Sequence, residues 1–123
     1  MRTLRGACLC GQVQITAQTD ADTAHECHCS QCRRQSGHVW AFVTVKADAV
    51  TVTGNARTYA HTDTATRGFC PDCGSFLWWR GNDDDTIDLS AGLLDAPTGL
   101  HLGKPSFPGD KGDYYEFMDR GTA

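Results

Sequence analysis

Seven of the 123 residues are cysteine, and they fall into three tight clusters. Cys8 and Cys10 form Cys-x-Cys. Cys27, Cys29 and Cys32 form Cys-x-Cys-x-x-Cys. Cys70 and Cys73 form Cys-x-x-Cys, with Gly74 directly behind. Spacings this short let a chain turn several sulfurs onto one ion. A glycine behind the second cysteine supplies the backbone freedom such a knuckle needs. A disulfide framework is the competing reading of a cysteine-rich chain. The odd count argues against it, as does the start, MRTLRGACLC, which carries no apolar leader. The clusters therefore predict zinc, in a soluble cytoplasmic protein.

Two partitions of the thiols fit the spacing. The simpler one puts Cys8, Cys10, Cys70 and Cys73 on one ion and leaves Cys27, Cys29 and Cys32 for a second. The rival joins Cys29 and Cys32 to Cys70 and Cys73, as in a zinc ribbon, and scatters Cys8, Cys10 and Cys27. In the first, four thiolates close a structural site. Three ligands leave a position open, the pattern of a catalytic zinc. A fourth ligand to the triplet would come from His25, His28, His38, His61 or a carboxylate. His28 lies between two ligands, so its ring is expected to point away from their metal.

The rest of the chain reads as one all-β domain over residues 1–123 with short helical turns. Alternating or β-branched runs occur at VQITA (13–17), VWAFVTV (39–45), AVTVTG (49–54), ARTYA (56–60), SFLWWR (75–80), TIDLSAG (86–92) and DYYEFM (113–118). Helical turns are expected after Cys29 and near 93–96. GNDDD (81–85) reads as a solvated loop. The formal charge is −4. Seven thiolates and two Zn²⁺ would take it to about −7. That balance predicts no nucleic-acid partner, and no run approaches membrane-spanning length. The oligomeric state is not legible.

ACLCGQVQI, CHCSQCRRQSGHVWAFVTV and RGFCPDCGSFLWW together resemble the glutathione-dependent formaldehyde-activating enzyme family, with all seven cysteines in order. LSAGLLD, His101 and DKGDYYE extend the resemblance over nearly the whole chain. It implies a β-tent type zinc-binding fold. It implies Cys8, Cys10, Cys70 and Cys73 as structural zinc ligands, and Cys27, Cys29 and Cys32 as the catalytic triplet. The implied activity is that of a carbon–sulfur lyase, joining glutathione to formaldehyde as S-(hydroxymethyl)glutathione or cleaving it. Two stretches depart from the family pattern. LGKPSFPG, between His101 and Asp110, is longer than expected, and EFMDRGTA stands where relatives carry an Asp-Gly-x-Pro segment. Both departures bear on substrate shape rather than on zinc.

The chemistry suits the residues. A free thiol is only roughly 3% thiolate at neutral pH, and zinc deprotonates it outright. That gains at most about 30-fold, about 2 kcal/mol. Three thiolates around Zn²⁺ leave an anionic centre, at which an incoming thiolate stays nucleophilic. Glutathione carries two carboxylates, and Arg33, Arg34 and Arg67 are the candidates to meet them. The bland reading is surface arginines that balance the anionic zinc sites. Trp40, Trp78 and Trp79 are candidate pocket walls or sheet packing. Tyr114 and Tyr115, placed on a strand, should face opposite ways. The rival functions are a zinc-stabilised protein-binding module without catalysis, and redox sensing through the thiols.

Overall fold

The computed structural model describes residues 1–117, and it builds two sheets. The smaller is antiparallel, in the order β1 (Arg2–Ala7), β2 (Gln14–Thr19), β5 (Val50–Thr53). The larger takes β10 (His101–Ser106), β3 (Thr23–Cys27), β4 (Trp40–Lys46), β9 (Thr86–Ser90), β8 (Phe76–Gly81), β7 (Ala65–Phe69) and β6 (Arg57–Tyr59), in that order. All its pairings are antiparallel except β10 on β3. The described chain is thus all-β, as its alternating runs predict. Among the described residues, no helix is long and apolar enough to cross a membrane.

Alternation along the strands, interrupted in β8 by a register shift against β7, divides the large sheet into two faces. Val43 and Val45 of β4, Leu77 of β8, and Ile87 and Leu89 of β9 point one way. They pack against Leu4, Ile15 and Ala17 of the small sheet, with Val13, in the main core. Trp40 and Phe42 of β4 point the other way. With Phe76 and Trp79 they form a second cluster around Cys27, Cys29 and Cys32. The small sheet closely approaches the segment that follows β9 at Gly6, opposite Leu93 and Leu94. A Cβ there would lie 2.3 Å from the Leu93 carbonyl oxygen.

The helical turn expected after Cys29 is α1 (Ser30–Ser36), capped at its start by Cys29 and at its end by Gly37. The second expected turn is a short 3-10 segment at Ala91–Leu93, slightly earlier than its sequence position suggests. GNDDD forms the turn between β8 and β9.

The expected strand at DYYEFM does not form. Residues 113–117 are turn and irregular backbone, and Met118 lies outside the described residues. Tyr114 and Tyr115 therefore do not alternate across a sheet. Both reach histidines: Tyr114 Oη meets His38 Nδ1 at 2.7 Å, and Tyr115 Oη meets His28 Nδ1 at 2.5 Å. Lys111 Nζ donates to the Tyr115 carbonyl at 2.5 Å, curling the segment back on itself. Side-chain bonding has overridden the β-propensity of the tyrosines.

Candidate metal centres

Cys8, Cys10, Cys70 and Cys73 converge, with all four sulfurs within 4.8 Å of one another. Two loops bring them together: the β1–β2 loop and the β7–β8 turn. In the first, Gly11 (φ +84°) donates its N–H to the Cys8 carbonyl at 3.0 Å. In the second, Gly74 (φ +81°) donates to the Cys70 carbonyl at 2.8 Å. These two knuckles need left-handed backbone, which glycine supplies without strain. Cys8 and Cys10 sulfurs lie 3.6 Å apart, and Cys10 and Cys70 sulfurs 3.8 Å. Tetrahedral Zn–S bonds of the usual length put sulfurs about 3.8 Å apart, so the donor set fits such an ion. Donors already surround it. The Val13 amide reaches Cys8 Sγ and Gln12 Nε2 reaches Cys70 Sγ, each at 3.3 Å. The Ser75 hydroxyl and amide hold the Cys73 thiol down to about 5.

Cys27, Cys29 and Cys32 form a separate group, again within 4.8 Å. Cys27 ends β3, Cys29 caps α1, and Cys32 sits one turn into it. The zinc-ribbon partition is thus not formed, and all seven thiols are free. At Cys29 burial opposes ionisation, but the Cys32 amide and neighbouring thiols outweigh it and hold the group below its ordinary value. Burial and the two neighbouring thiols push Cys32 up.

No histidine or carboxylate among the described residues joins the triplet. His28 is buried, with Nδ1 on Tyr115 and Nε2 3.3 Å from Glu26 Oε1. Both ring nitrogens are thus engaged by partners outside the triplet. His25 packs on the Phe42 ring, and His38 bonds Tyr114.

The triplet opens on a cavity of about 460 Å³, walled by Trp40, Phe42, Trp79 and Phe107 and edged by Arg67 and Asp88. Trp40 is fixed by an indole bond to Ser90 Oγ at 2.8 Å. Trp78 instead packs against the main core. Phe107 is 62% exposed and adopts φ +54°, an uncommon conformation for a side chain of this size. It lies within the LGKPSFPG stretch, so that departure from the family pattern reaches the cavity wall.

Beside the cavity runs a groove of about 510 Å³, lined by Arg34, Gln35, Tyr59, His61, Arg67 and others. Arg67 borders both spaces and is buried. Its guanidinium is braced by α1, with one nitrogen donating to Gln35 Oε1 at 2.5 Å and the other to Gln31 Oε1. Arg34 faces the groove. Arg33 lines neither space, and its Nε is buried without a partner among the described residues.

Sequence reasoning missed the parts played by Gln31 and Gln35, Asp88 and Phe107. The i, i+4 spacing of the two glutamines on a helix was a usable signal. The other two had none, because the fold alone brings them to the triplet.

Known proteins bear on this geometry. A Penicillium rubens protein with the provisional name glutathione-dependent formaldehyde-activating enzyme is 36% identical over 85 residues. That match covers 66% of this chain and 44% of that protein, so the chain matches less than half of its length. A Schizosaccharomyces pombe protein, described as an uncharacterized lyase, is 27% identical over 122 residues, covering 98% of this chain and 89% of that one. The crystal structure of a Rhodobacter sphaeroides protein superposes with a TM-score of 0.64 at 24% identity, over 75% of this chain and 88% of that chain, which supports the fold. The profile of one family matches residues 3–107, all seven cysteines included. The chain belongs to the glutathione-dependent formaldehyde-activating enzyme family.

Proposed function

We propose that this chain is a zinc-dependent carbon–sulfur lyase that adds a thiol such as glutathione to a small aldehyde, or reverses that addition. One observation carries the reading. Three sulfurs without a fourth protein ligand among the described residues open on a cavity that runs past Arg67 into a cationic groove. A zinc ion on the triplet would supply the acidity that makes a bound thiol a thiolate at neutral pH.

The residues of the chain do the rest. Arg67 is held rigid by two glutamines, so its fork meets a carboxylate without first losing side-chain freedom. Arg34 and His61 extend the same groove for a second carboxylate. Trp40, Phe42 and Trp79 exclude water from the reacting end. Holding both reactants in one place does most of the remaining work for so reactive an aldehyde. Arg33, away from both spaces, has no part in this reading. The four-thiol centre is structural zinc.

Cobalt-loaded protein titrated with glutathione tests the proposal, since sulfur entering the metal shell alters the charge-transfer spectrum. A saturable change that is absent in Cys29→Ser is expected. Silence toward glutathione, cysteine and mercaptoethanol alike would overturn the thiol reading and leave the binding module standing.

A further inference from the structure

Besides the three thiols, two lining side chains of the triplet cavity carry charge: Arg67 and Asp88. Arginine keeps its proton at any working pH. Asp88 is the remaining lining group that can exchange one.

Its setting is specific. Thr44, Asp88, Trp79 and Arg67 lie in one row across β4, β9, β8 and β7. Trp79 thus separates the acid from the guanidinium. Among the described residues Asp88 forms no ion pair. Thr44 Oγ1 donates to its Oδ1 at 2.7 Å and fixes the carboxyl group. Asp88 stands outside the thiol group, whose three sulfurs lie within 4.8 Å of one another. A half-buried carboxylate against aromatic walls, with no ion pair among the described residues, is costly unless it has a task.

We propose that Asp88 is the proton carrier of this cavity, a catalytic residue for thiol–aldehyde addition and its reversal. The assignment rests on the thiol reading above. The Asp88 carboxylate takes the thiol proton, and the sulfur electron pair attacks the carbonyl carbon. The C=O π pair moves onto oxygen, and that oxygen takes the proton back from Asp88. One C–S bond forms, nothing is oxidised or reduced, and the carboxylate is regenerated. Cleavage runs the same steps backwards, beginning with Asp88 accepting the hydroxyl proton.

The electrostatics agree with that task. Burial pushes the Asp88 carboxyl above its ordinary value, against the Thr44 hydroxyl and the charge of His25; Asp84 adds to the rise. Lys46, on the same face of β4, is engaged by Asp85 at 3.0 Å. Arg67 and the three thiols complete the charged surroundings.

The test is cleavage of S-(hydroxymethyl)glutathione across pH, corrected for the buffer reaction, with glutathione binding measured in parallel. Asp88→Asn should lose roughly 10²-fold or more of the catalysed rate, and Asp88→Glu should recover part of it. Cleavage by the wild type should rise with pH through a limb that is missing in Asp88→Asn. Thr44→Val should move that limb to higher pH, because it removes a donor that favours the carboxylate. Infrared spectra should show a protonated-carboxyl band that titrates with the same limb and is absent from Asp88→Asn. Unchanged rate and limb in an Asp88→Asn protein that still binds glutathione would overturn the assignment and leave the thiol reading intact. Weaker binding of amine-bearing thiols alone, with the limb unchanged, would overturn it too, making Asp88 an ammonium contact. If wild type neither binds glutathione nor cleaves the adduct, the thiol reading fails and the assignment falls with it.

Discussion

The two thiol clusters present their sulfurs in opposite settings. The four-thiol cluster sits at the edge of the main core, with Cys10 exposed and Cys73 half-buried. Cys8 and Cys70 are buried there among Val13, Ile15 and Leu77, and the Val13 amide and Gln12 reach their sulfurs. The three-thiol cluster sits on the other face of the large sheet, at a helix start, against an aromatic cavity. What separates them is the number of sulfurs that the backbone delivers. Two knuckles from distant loops bring four sulfurs, enough to saturate a tetrahedral ion. One strand end and one short helix bring three, beside a cavity.

That contrast predicts unequal consequences of breaking each cluster. Cys70→Ser should have the largest effect. Structural zinc binding is worth about 10–16 kcal/mol in small domains, comparable with the whole stability of a domain this size. Circular dichroism and thermal melting should show little cooperative fold in that variant. An intact melt would mean that the core does not depend on this cluster.

Arg67→Gln should leave both clusters loaded and raise the glutathione KM roughly 10-fold or more, the worth of a charged hydrogen bond. Calorimetric titration with glutathione checks it, and an unchanged affinity would place the carboxylates elsewhere.

Ser75→Ala sharpens the difference in pH dependence. The Ser75 hydroxyl and amide depress Cys73 from 9.0 to about 5. A depressed group contributes stability above its unfolded value and loses it as pH falls through its folded value. Zinc on the four-thiol cluster should therefore be held into mild acid, and Ser75→Ala should release it at higher pH. A chelator-dye titration across pH reads this directly. The triplet offers one sulfur fewer, so it should release metal first.

Gly74→Ala should have the smallest effect. Nothing lies within 4 Å of the added methyl group, so only the φ of +81° is strained. The expected loss is about 1 kcal/mol, seen as a small fall in Tm. A loss several times larger would mean that the knuckle geometry itself controls zinc affinity.

Which cysteine clusters share a site was not legible, because two partitions fit the spacing and the fold chooses between them. The three clusters themselves were legible because ligand spacing is local. Alternation revealed β2, β4, β5, β6, β8 and β9 for the same reason. β1, β3, β7 and β10 were not legible. β3 reads TAHEC and β7 reads ATRGF, with too few β-branched residues to announce strands. β10 contains Pro105, tolerated because the strand lies at the sheet edge with an irregular register beside β3. Asp88 was hidden by the rule that found its strand. In TIDLS it falls opposite Ile87 and Leu89, where a carboxylate reads as solvated. The fold turns that face toward the triplet.

The most direct measurement is zinc stoichiometry by elemental analysis, with and without glutathione, on wild type and Cys29→Ser. The account predicts two zincs falling to one in a folded Cys29→Ser protein, with the lost ion being the one that responds to glutathione. Loss of the fold in Cys29→Ser, or two zincs indifferent to any thiol, would make the triplet a structural site and contradict the account.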